Sequence, residues 1–243
     1  MILLSVGMPR AGSGWYYNLT NELMLANGAQ DAHKIRQRYH LQGILTEVNC
    51  NIGALTTRRV LAVMLPALMG NTFVIKAHSA PTPFALRVIR SGLMQPTYIH
   101  RDPRDAMLSA IENGRRAIGR GRPNAFSPFV EFEDALRFME GYLRIWEAWM
   151  DCGQALLVRY EDLLTNYDPE TERLVQYLAL DPQRPEVREV INRYRPEKAQ
   201  PDQKGLHFSH GRIGRFRQKM SPEQQEIMAA RLAPYIKRMG HAD

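Results

Sequence analysis

The sequence predicts an α/β protein in which a central parallel sheet is flanked by helices, as a single domain over residues 1–243. Two observations support this prediction: short strand patterns alternate with helical segments, and the length suits one full core. The hydrophobic fraction of 44% and the charged fraction of 23% exclude disordered and collagen-like classes. In such folds ligands collect at the carboxyl ends of the strands, so motifs there carry the most weight.

Four short apolar runs, rich in Val and Ile, are typical of strands that are buried on both faces. They lie at Ile2–Val6, Phe73–Ala77, Thr97–His100 and Ala155–Arg159. The segments between them carry signals for helix starts, which suits the crossover connections of parallel strands. The four runs therefore supply the predicted sheet.

Helix starts are marked by a capping residue followed by proline, which suits the first helical position. Such pairs stand at Thr82-Pro83, Asp102-Pro103, Asp168-Pro169 and Ser221-Pro222, the last within a capping box that Gln224 completes. The first, second and fourth of these helices are expected to end near Gly92, Ile118 and Gly240. The segment Glu133–Cys152 has one apolar stripe, which we assign to the core.

The formal net charge of +7 and the isoelectric point near 9.6 indicate an anionic partner. Nucleic acid, an anionic membrane and a small polyanion are the three candidates. No block of five or six consecutive basic residues occurs, which argues against a disordered basic arm. We therefore expect a phosphate-rich small ligand and no nucleic acid.

The only cysteines, Cys50 and Cys152, lie far apart and in no metal-ligand spacing, so neither a disulfide framework nor a bound metal is expected. No secretory signal pattern precedes the first strand. The longest apolar run, Val60 to Met69, is far shorter than a membrane span. The sequence predicts a cytoplasmic protein without membrane insertion, and it leaves the oligomeric state open.

A glycine-rich turn, Gly7-Met8-Pro9-Arg10-Ala11-Gly12-Ser13-Gly14-Trp15, links the first strand to a helix. Such a turn presents free backbone N–H groups and the positive end of the helix dipole, which together favour an anion. A nucleotide kinase would have Lys and then Ser or Thr after the second loop glycine. Here Ser13 and Gly14 occupy those positions, whereas a cation, Arg10, lies within the loop. The loop suits an anion but lacks the groups for metal-assisted phosphoryl transfer.

The loop resembles the 5′-phosphosulfate loop of sulfotransferases that use 3′-phosphoadenosine 5′-phosphosulfate (PAPS), P-[KR]-[SA]-G-[TS]-x-W. A second family element, R-[ND]-P-x-D-x-x-x-S, is matched by Arg101-Asp102-Pro103-Arg104-Asp105 with Ser109 eight residues after Arg101. The resemblance implies a P-loop-kinase-like sulfotransferase fold with PAPS as donor substrate. It also implies that Arg101 and Ser109 bind the 3′-phosphate and that the loop residues bind the 5′-phosphosulfate. These loop residues are Arg10, Ala11, Gly12, Ser13 and Gly14, whereas Trp15 would flank the adenine together with Tyr160.

A third element, Lys76-Ala77-His78, ends the second predicted strand and is similar to the K-x-H segment of the hydroxyl-directed branch of the family. Side chains two apart on a strand share a face, so Lys76 and His78 are expected to point the same way. The resemblance implies that His78 is the general base. Arg10 and Lys76 would then stabilise the charge that develops on the sulfuryl group and the departing phosphate.

Two further segments match less closely. Tyr160-Glu161-Asp162-Leu163 is similar to the family's Y-E-D-L, whose tyrosine lies near the adenine. His210-Gly211-Arg212 falls within a segment that resembles the closing R-K-G-x-x-G-x-W element, with Ser209-His210 in place of Arg-Lys and Phe216 in place of Trp. The family's last 3′-phosphate contact is therefore open among Lys204, Arg212 and His210.

The implied reaction is one in-line displacement at sulfur without a metal. The acceptor is expected to be a hydroxyl or amine of a small molecule or sugar. Two basic segments, Ala32–His40 and Gly114–Pro123, are either solvated surface or a rim for an anionic acceptor. The latter contains Arg115, Arg116, Arg120 and Arg122. The alternative functions are a P-loop-like nucleotide kinase and a non-catalytic basic module for nucleotide or RNA binding.

Overall fold

A computed structural model describes residues 1–198 and 211–241. Its sheet has four parallel strands in the order β2-β1-β3-β4. The strands are β1 (Ile2–Gly7), β2 (Phe73–Ala77), β3 (Met94–His100) and β4 (Leu156–Arg159). All four predicted strands are confirmed, and so is the α/β class.

Strand β3 begins at Met94, three residues before its predicted start at Thr97. Pro96 lies between these two positions and has no N–H group, and a proline is not typical of a central strand. In the structure β4 pairs with β3 only from Thr97 onward, so Pro96 borders no partner on that side. Its carbonyl instead accepts a hydrogen bond from the hydroxyl of Tyr177 at 2.6 Å.

Helices connect the strands and cover both faces of the sheet. They are α1 (Ser13–Ala26), α2 (Ala32–Arg38), α3 (Thr57–Leu68), α4 (Pro83–Arg90), α5 (Pro103–Gly119), α6 (Phe132–Asp151), α7 (Tyr160–Thr165), α8 (Tyr167–Tyr177), α9 (Pro185–Arg193), α10 (Phe216–Lys219) and α11 (Pro222–Arg238). A short 3₁₀ turn spans Pro196–Lys198.

Three of the four predicted helix starts are confirmed by side-chain caps. Thr82, Asp102 and Ser221 each accept a backbone N–H of the first turn, and Ser221 forms the expected capping box with Gln224. The prediction that α8 has Asp168 as its cap and Pro169 as its first residue was wrong by two residues, since the helix begins at Tyr167 after Asn166. Helix α7 ends at Thr165 and α8 follows almost directly, which places Asp168 within the first turn.

The core lies on both faces of the sheet because alternate strand residues point to opposite sides. Ile2, Leu4 and Val6 of β1 belong to one hydrophobic cluster, whereas Leu3 belongs to a second cluster that also contains Trp15. The apolar stripe of α6, including Trp146 and Trp149, is buried in the first cluster as predicted. Burial of each such large side chain contributes about 1.5–3 kcal/mol. Helices cover both faces of the sheet, so the edge formed by the carboxyl ends of its strands is the part left open for a binding site.

Candidate active site

A cavity of about 530 Å³ lies at the carboxyl ends of all four strands. Each strand is followed by a residue of its wall: Pro9 after β1, His78 after β2, Arg101 after β3 and Tyr160 after β4. The structure thus brings together residues from segments up to about 200 positions apart. The predicted site residues that line it are Arg10, Gly12, Ser13, Gly14, Trp15, Lys76, His78, Arg101, Ser109, Tyr160, Gly211 and Arg212.

One described residue that the sequence assigned to the site, Ala11, does not line the cavity. Ala11 is fully buried beneath the loop, where its N–H donates to the carbonyl of Met8 at 3.2 Å. Ala11 therefore shapes the loop from below and does not line the cavity. His210 and Lys204 lie outside the described residues.

The loop after β1 is held in a left-handed backbone conformation at two positions. Arg10 has φ 65° and Gly12 has φ 75°. A Cβ on Gly12 would lie 2.7 Å from the ring of Tyr160, so this position requires glycine for both its dihedral and its close contact. Gly12 caps α1 without a side-chain bond, so the N–H groups of Ser13 and Gly14 have no acceptor within the helix. The turn therefore presents free N–H groups at the start of α1, the arrangement that would form the anion cradle expected from the sequence.

Two arginines converge beside this cradle. The Nε of Arg10 donates to the hydroxyl of Ser109 at 3.1 Å, and Arg101 donates to the carbonyl of Arg10 at 3.4 Å. Burial lowers the pKa of Arg10, and the charge of Arg101 lowers it further. The Nε of Arg101 is buried without a hydrogen-bond acceptor among the described residues. Because a buried donor without a partner is costly, this arrangement favours an anionic ligand.

The wall formed by residues 211–216 is tied to helix α5 by one buried carboxylate. Asp105 accepts hydrogen bonds from the N–H groups of Gly214 at 2.7 Å and Phe216 at 3.0 Å. Arg101 donates to the carbonyl of Arg212 at 2.9 Å and forms an ion pair with Asp105 at 3.4 Å. These contacts bring the C-terminal segment beside the second motif, where the family resemblance expects it.

Lys76 and His78 form the opposite side of the site, and they share the direction that strand periodicity predicts. Burial lowers the pKa of Lys76 to about 8. Burial and the charge of Lys76 lower the pKa of His78 to about 4, against the opposing effect of the Gly7 carbonyl. The imidazole is therefore neutral near pH 7.

The hydrogen bond of His78 fixes which tautomer this neutral ring adopts. Its Nδ1 lies 2.6 Å from the carbonyl oxygen of Gly7. A carbonyl can only accept, so Nδ1 carries the proton and Nε2 retains its lone pair. The ring therefore keeps an unprotonated nitrogen, Nε2, on a residue that lines the cavity.

Aromatic rings form one corner of the cavity. Trp15 packs edge-on against Tyr160 with 6.3 Å between ring centroids, and it stacks on Tyr167 at 6.2 Å. The indole N–H donates to the carbonyl of Tyr194 at 3.0 Å. Arg101 lies 4.5 Å from the centroid of Tyr160. Such a corner suits a flat base beside the phosphate-binding groups.

Sequence reasoning missed several cavity residues. They are Asn49, Asn113, Ala125, Phe126, Tyr142 and Arg215. Pro9, which belongs to the loop motif but was not assigned to the site, also lines the cavity. Phe126 lies in an irregular segment and Tyr142 adjoins the core stripe of α6, so no local pattern distinguishes either one. Arg215 is already paired with Glu112 through hydrogen bonds of 2.6 and 3.0 Å.

The two basic segments differ in their relation to the cavity. In the first, Arg36 donates to the carbonyl of Leu45 and His33 contacts the carbonyl of Glu47, and no residue of 32–40 lines the cavity. In the second, the charge of Arg116 reaches far enough to depress the pKa of Arg10. The second segment is therefore the one that lies near the site.

Neither a metal centre nor a membrane span is found in the described part of the chain. Within residues 1–198 and 211–241, no group of three or more His, Cys, Asp or Glu side chains is arranged to bind a metal ion. No helix in these two ranges is long and apolar enough to cross a bilayer.

The parallel sheet, the glycine-rich cradle and the converging arginines define a transferase that uses a nucleotide with several anionic groups. The model of the sulfotransferase domain matches residues 2–240. The chain belongs to the sulfotransferase family, and it is a PAPS-dependent sulfotransferase by class. The resemblance drawn from its three N-terminal motifs is thereby confirmed.

Solved structures share the fold at low sequence identity. Mouse sulfotransferase SULT7A1 complexed with PAP matches with a TM-score of 0.60 and 14% identity, over 97% of this chain and 84% of that protein. Retinol dehydratase in complex with retinol and PAP matches with a TM-score of 0.61 and 16% identity, over 97% and 81%. Retinol dehydratase with androsterone and the inactive cofactor PAP gives 0.60 and 17%, over 97% and 80%. Among curated proteins, none matches the sequence.

Proposed function

We propose that the chain transfers the sulfuryl group of PAPS to a hydroxyl or amine of a small-molecule acceptor, with His78 as general base. The observation that carries this proposal is the hydrogen bond from Nδ1 of His78 to the Gly7 carbonyl, which leaves Nε2 basic. The same ring lines one cavity with Lys76 and Arg10. A base, two cations and an anion cradle are the groups that sulfuryl transfer requires.

In the proposed displacement each of these side chains has one part. The acceptor oxygen forms its bond to sulfur while the bond from sulfur to the 5′-phosphate oxygen breaks, and the acceptor proton passes to Nε2 of His78. Arg10 and Lys76 stabilise the charge on the leaving phosphate, together with the N–H groups of Ser13 and Gly14. Adenosine 3′,5′-bisphosphate (PAP) then departs.

The rest of the cavity wall offers groups for the other parts of the donor. Arg101 and Ser109 would bind the 3′-phosphate, which is supported by their place in the cavity wall and by the unpartnered, buried Nε of Arg101 among the described residues. Trp15 and Tyr160 supply flat surfaces for the adenine. Gly211 and Arg212 close the site, since the carbonyl of Arg212 already accepts from Arg101.

The acceptor side of the cavity is apolar with two amides. Phe126 and Tyr142 provide ring surface, and Asn49 and Asn113 provide hydrogen-bonding groups. This lining favours a small acceptor with an apolar body, and a retinol dehydratase of this fold is described with retinol and with androsterone. The exposed arginines near residues 115–122 favour acceptors that also bear a negative charge. A sugar acceptor remains the alternative.

A reducing, cytoplasmic location is also proposed. Both cysteines, Cys50 and Cys152, are unpaired, which suits a compartment where thiols stay reduced.

Nucleotide binding tests the donor assignment against the kinase alternative. A ligand that binds the native state raises the melting temperature, so PAP, AMP and ATP can be compared directly. PAP should stabilise the protein most, and Arg101→Ala should weaken PAP binding by roughly 1.5–3 kcal/mol because a charge-assisted contact is lost. Equal stabilisation by AMP and PAP would contradict the assignment of Arg101 and Ser109. ATP hydrolysis without PAPS turnover would instead support a kinase.

A further inference from the structure

The irregular segment 121–131, which joins α5 to α6, is fastened to α5 by three consecutive residues. Asn113 accepts a hydrogen bond from the side chain of Asn124 at 2.8 Å, and Arg115 donates to the carbonyl of Val130 at 2.9 Å. Between them, Gly114 lies directly under the backbone of the segment. A Cβ at Gly114 would be 2.4 Å from the carbonyl oxygen of Phe126, a distance that real side chains do not adopt.

Bonds within the segment then fix the position of Phe126. The side-chain oxygen of Asn124 accepts the N–H of Phe126 at 2.8 Å, and the N–H of Asn124 donates to Ser127 at 2.9 Å. The Phe126 ring packs edge-on against Phe138 with 6.1 Å between centroids. The ring is therefore held by its backbone on one side and by α6 on the other.

One face of the Phe126 ring lies beside Arg10 in the cavity wall. The guanidinium carbon of Arg10 lies 5.4 Å from the centroid of Phe126. The same guanidinium donates to Ser109 through Nε, so Arg10 is held between a hydroxyl and a ring face. A cation placed over an aromatic ring within about 6 Å is attracted to it, and more strongly when it is desolvated.

We propose that Phe126 is a positioning residue for Arg10, and that Gly114 sets its location by allowing the segment 121–131 to lie against α5. This inference rests on the proposed function, since Phe126 would position Arg10, the cation proposed to stabilise the sulfuryl group. It predicts that transfer depends on the ring face of Phe126 more than nucleotide affinity does. Among the groups proposed to bind PAP, Phe126 contacts Arg10. The affinity for PAP also draws on Arg101, Ser109 and the loop N–H groups, so it should change less than the transfer rate.

Ring substitutions separate positioning from packing. Phe126→Leu should lower kcat with PAPS about 3- to 30-fold, the range expected for losing a partly desolvated cation–π contact, with nearly unchanged PAP affinity. Phe126→Tyr keeps a ring face and should retain most of kcat. Phe129→Leu alters the same aromatic cluster at a ring that stacks on Phe138 and lies outside the cavity wall, and it should leave kcat near the wild-type value. Equal kcat losses in Phe126→Leu and Phe129→Leu would overturn the positioning role.

Two helical glycines of α5 give a matched pair for the role of Gly114. Gly119 has open space where a Cβ would stand, whereas Gly114 has the Phe126 carbonyl. Gly114→Ala should reproduce the kcat loss of Phe126→Leu and keep PAP affinity, and Gly119→Ala should do neither. If the wild type turns over PAPS and Gly114→Ala has the same kcat, this inference is overturned and the proposed function is not. No PAPS turnover by the wild type, with any acceptor tested, would overturn the proposed function together with it.

Discussion

His78 differs from a solvated histidine because one ring nitrogen is already engaged and the ring is desolvated. Its Nδ1 donates to Gly7 of the neighbouring strand, and its pKa is lowered to about 4. Lys76, two residues earlier, has a pKa of about 8, so it is largely charged at pH 7. One strand end therefore presents a neutral base beside a cation, which is the protonation state that transfer from an anionic donor needs.

These two pKa values predict a bell-shaped pH profile for kcat/KM. His78 must be unprotonated, so activity should fall as the pH drops through about 4. Lys76 must be protonated, so activity should fall as the pH rises through about 8. The profile should be measured for wild type and for Lys76→Arg, with folding checked by circular dichroism. Arginine stays charged, so an alkaline limb that persists unchanged in an active Lys76→Arg would show that Lys76 is not its source.

Several of the cavity residues that the sequence predicts are fixed by strand ends. Arg10, Lys76, His78 and Arg101 each lie within three residues of a strand, where the parallel sheet brings distant motifs together. Phe126 could not be predicted in this way, because it reaches the cavity through a segment whose shape depends on tertiary contacts with α5. The hydrogen bond to Gly7, which selects the tautomer of His78, is likewise visible only in three dimensions.

At the scale of elements, the loop after β1 and the helix α5 do most of the positioning. The loop supplies the anion cradle, and its tight turn at Gly12 brings it against Tyr160 at the end of β4. Helix α5 begins at the Asp102 cap and presents Asp105, Ser109 and Asn113 on successive turns, toward the C-terminal segment, Arg10 and the segment 121–131 respectively. One helix thus sets the relative positions of the C-terminal segment, Arg10 and the segment 121–131.

Gly12→Ala tests how closely the loop must approach Tyr160. The substitution adds a methyl group 2.7 Å from the Tyr160 ring at a position with φ 75°. The matched control is Gly28→Ala, which has φ 90° and open space around its Cβ. Both variants should lose stability from backbone strain, by roughly 1–3 kcal/mol. Only Gly12→Ala should also reduce the melting-temperature gain produced by PAP.

An equal PAP response in the two glycine variants would mean that strain alone, and not contact with Tyr160, makes Gly12 necessary. A reduced response confined to Gly12→Ala would support the loop as the 5′-phosphate site.

For the whole molecule, the predicted α/β class and the strand positions were confirmed, because buried parallel strands leave a strong apolar signal. The start of β3 was predicted too late, since Pro96 looks like a strand breaker until the order of its neighbours is known. That residues 1–243 form one domain stays a prediction, as does the role of His210. The net charge of +7 finds a partial explanation in the arginines around the cavity.

The exposed arginines near the cavity predict how acceptor use responds to salt. The double variant Arg120→Gln with Arg122→Gln should raise the KM of an anionic acceptor and flatten the dependence of this KM on ionic strength. The reason is that the variant loses an electrostatic attraction to the acceptor that salt would otherwise screen. PAP affinity should hardly change. Arg58→Gln with Arg90→Gln removes the same charge from exposed positions on α3 and α4 and serves as control. If both pairs behave alike, the basic segment is solvated surface.

The central claim is tested most directly by the transfer rate and the PAP affinity of His78→Ala, measured in the same preparation. A positioned general base contributes about 10²–10⁴-fold, so the rate with a good acceptor should fall by that factor while PAP affinity stays nearly unchanged. His33→Ala, which alters an exposed histidine outside the cavity wall, should keep both values. A variant that retains more than about a tenth of the wild-type rate, or one whose rate, PAP affinity and melting temperature fall together, would contradict the assignment of His78 as the base.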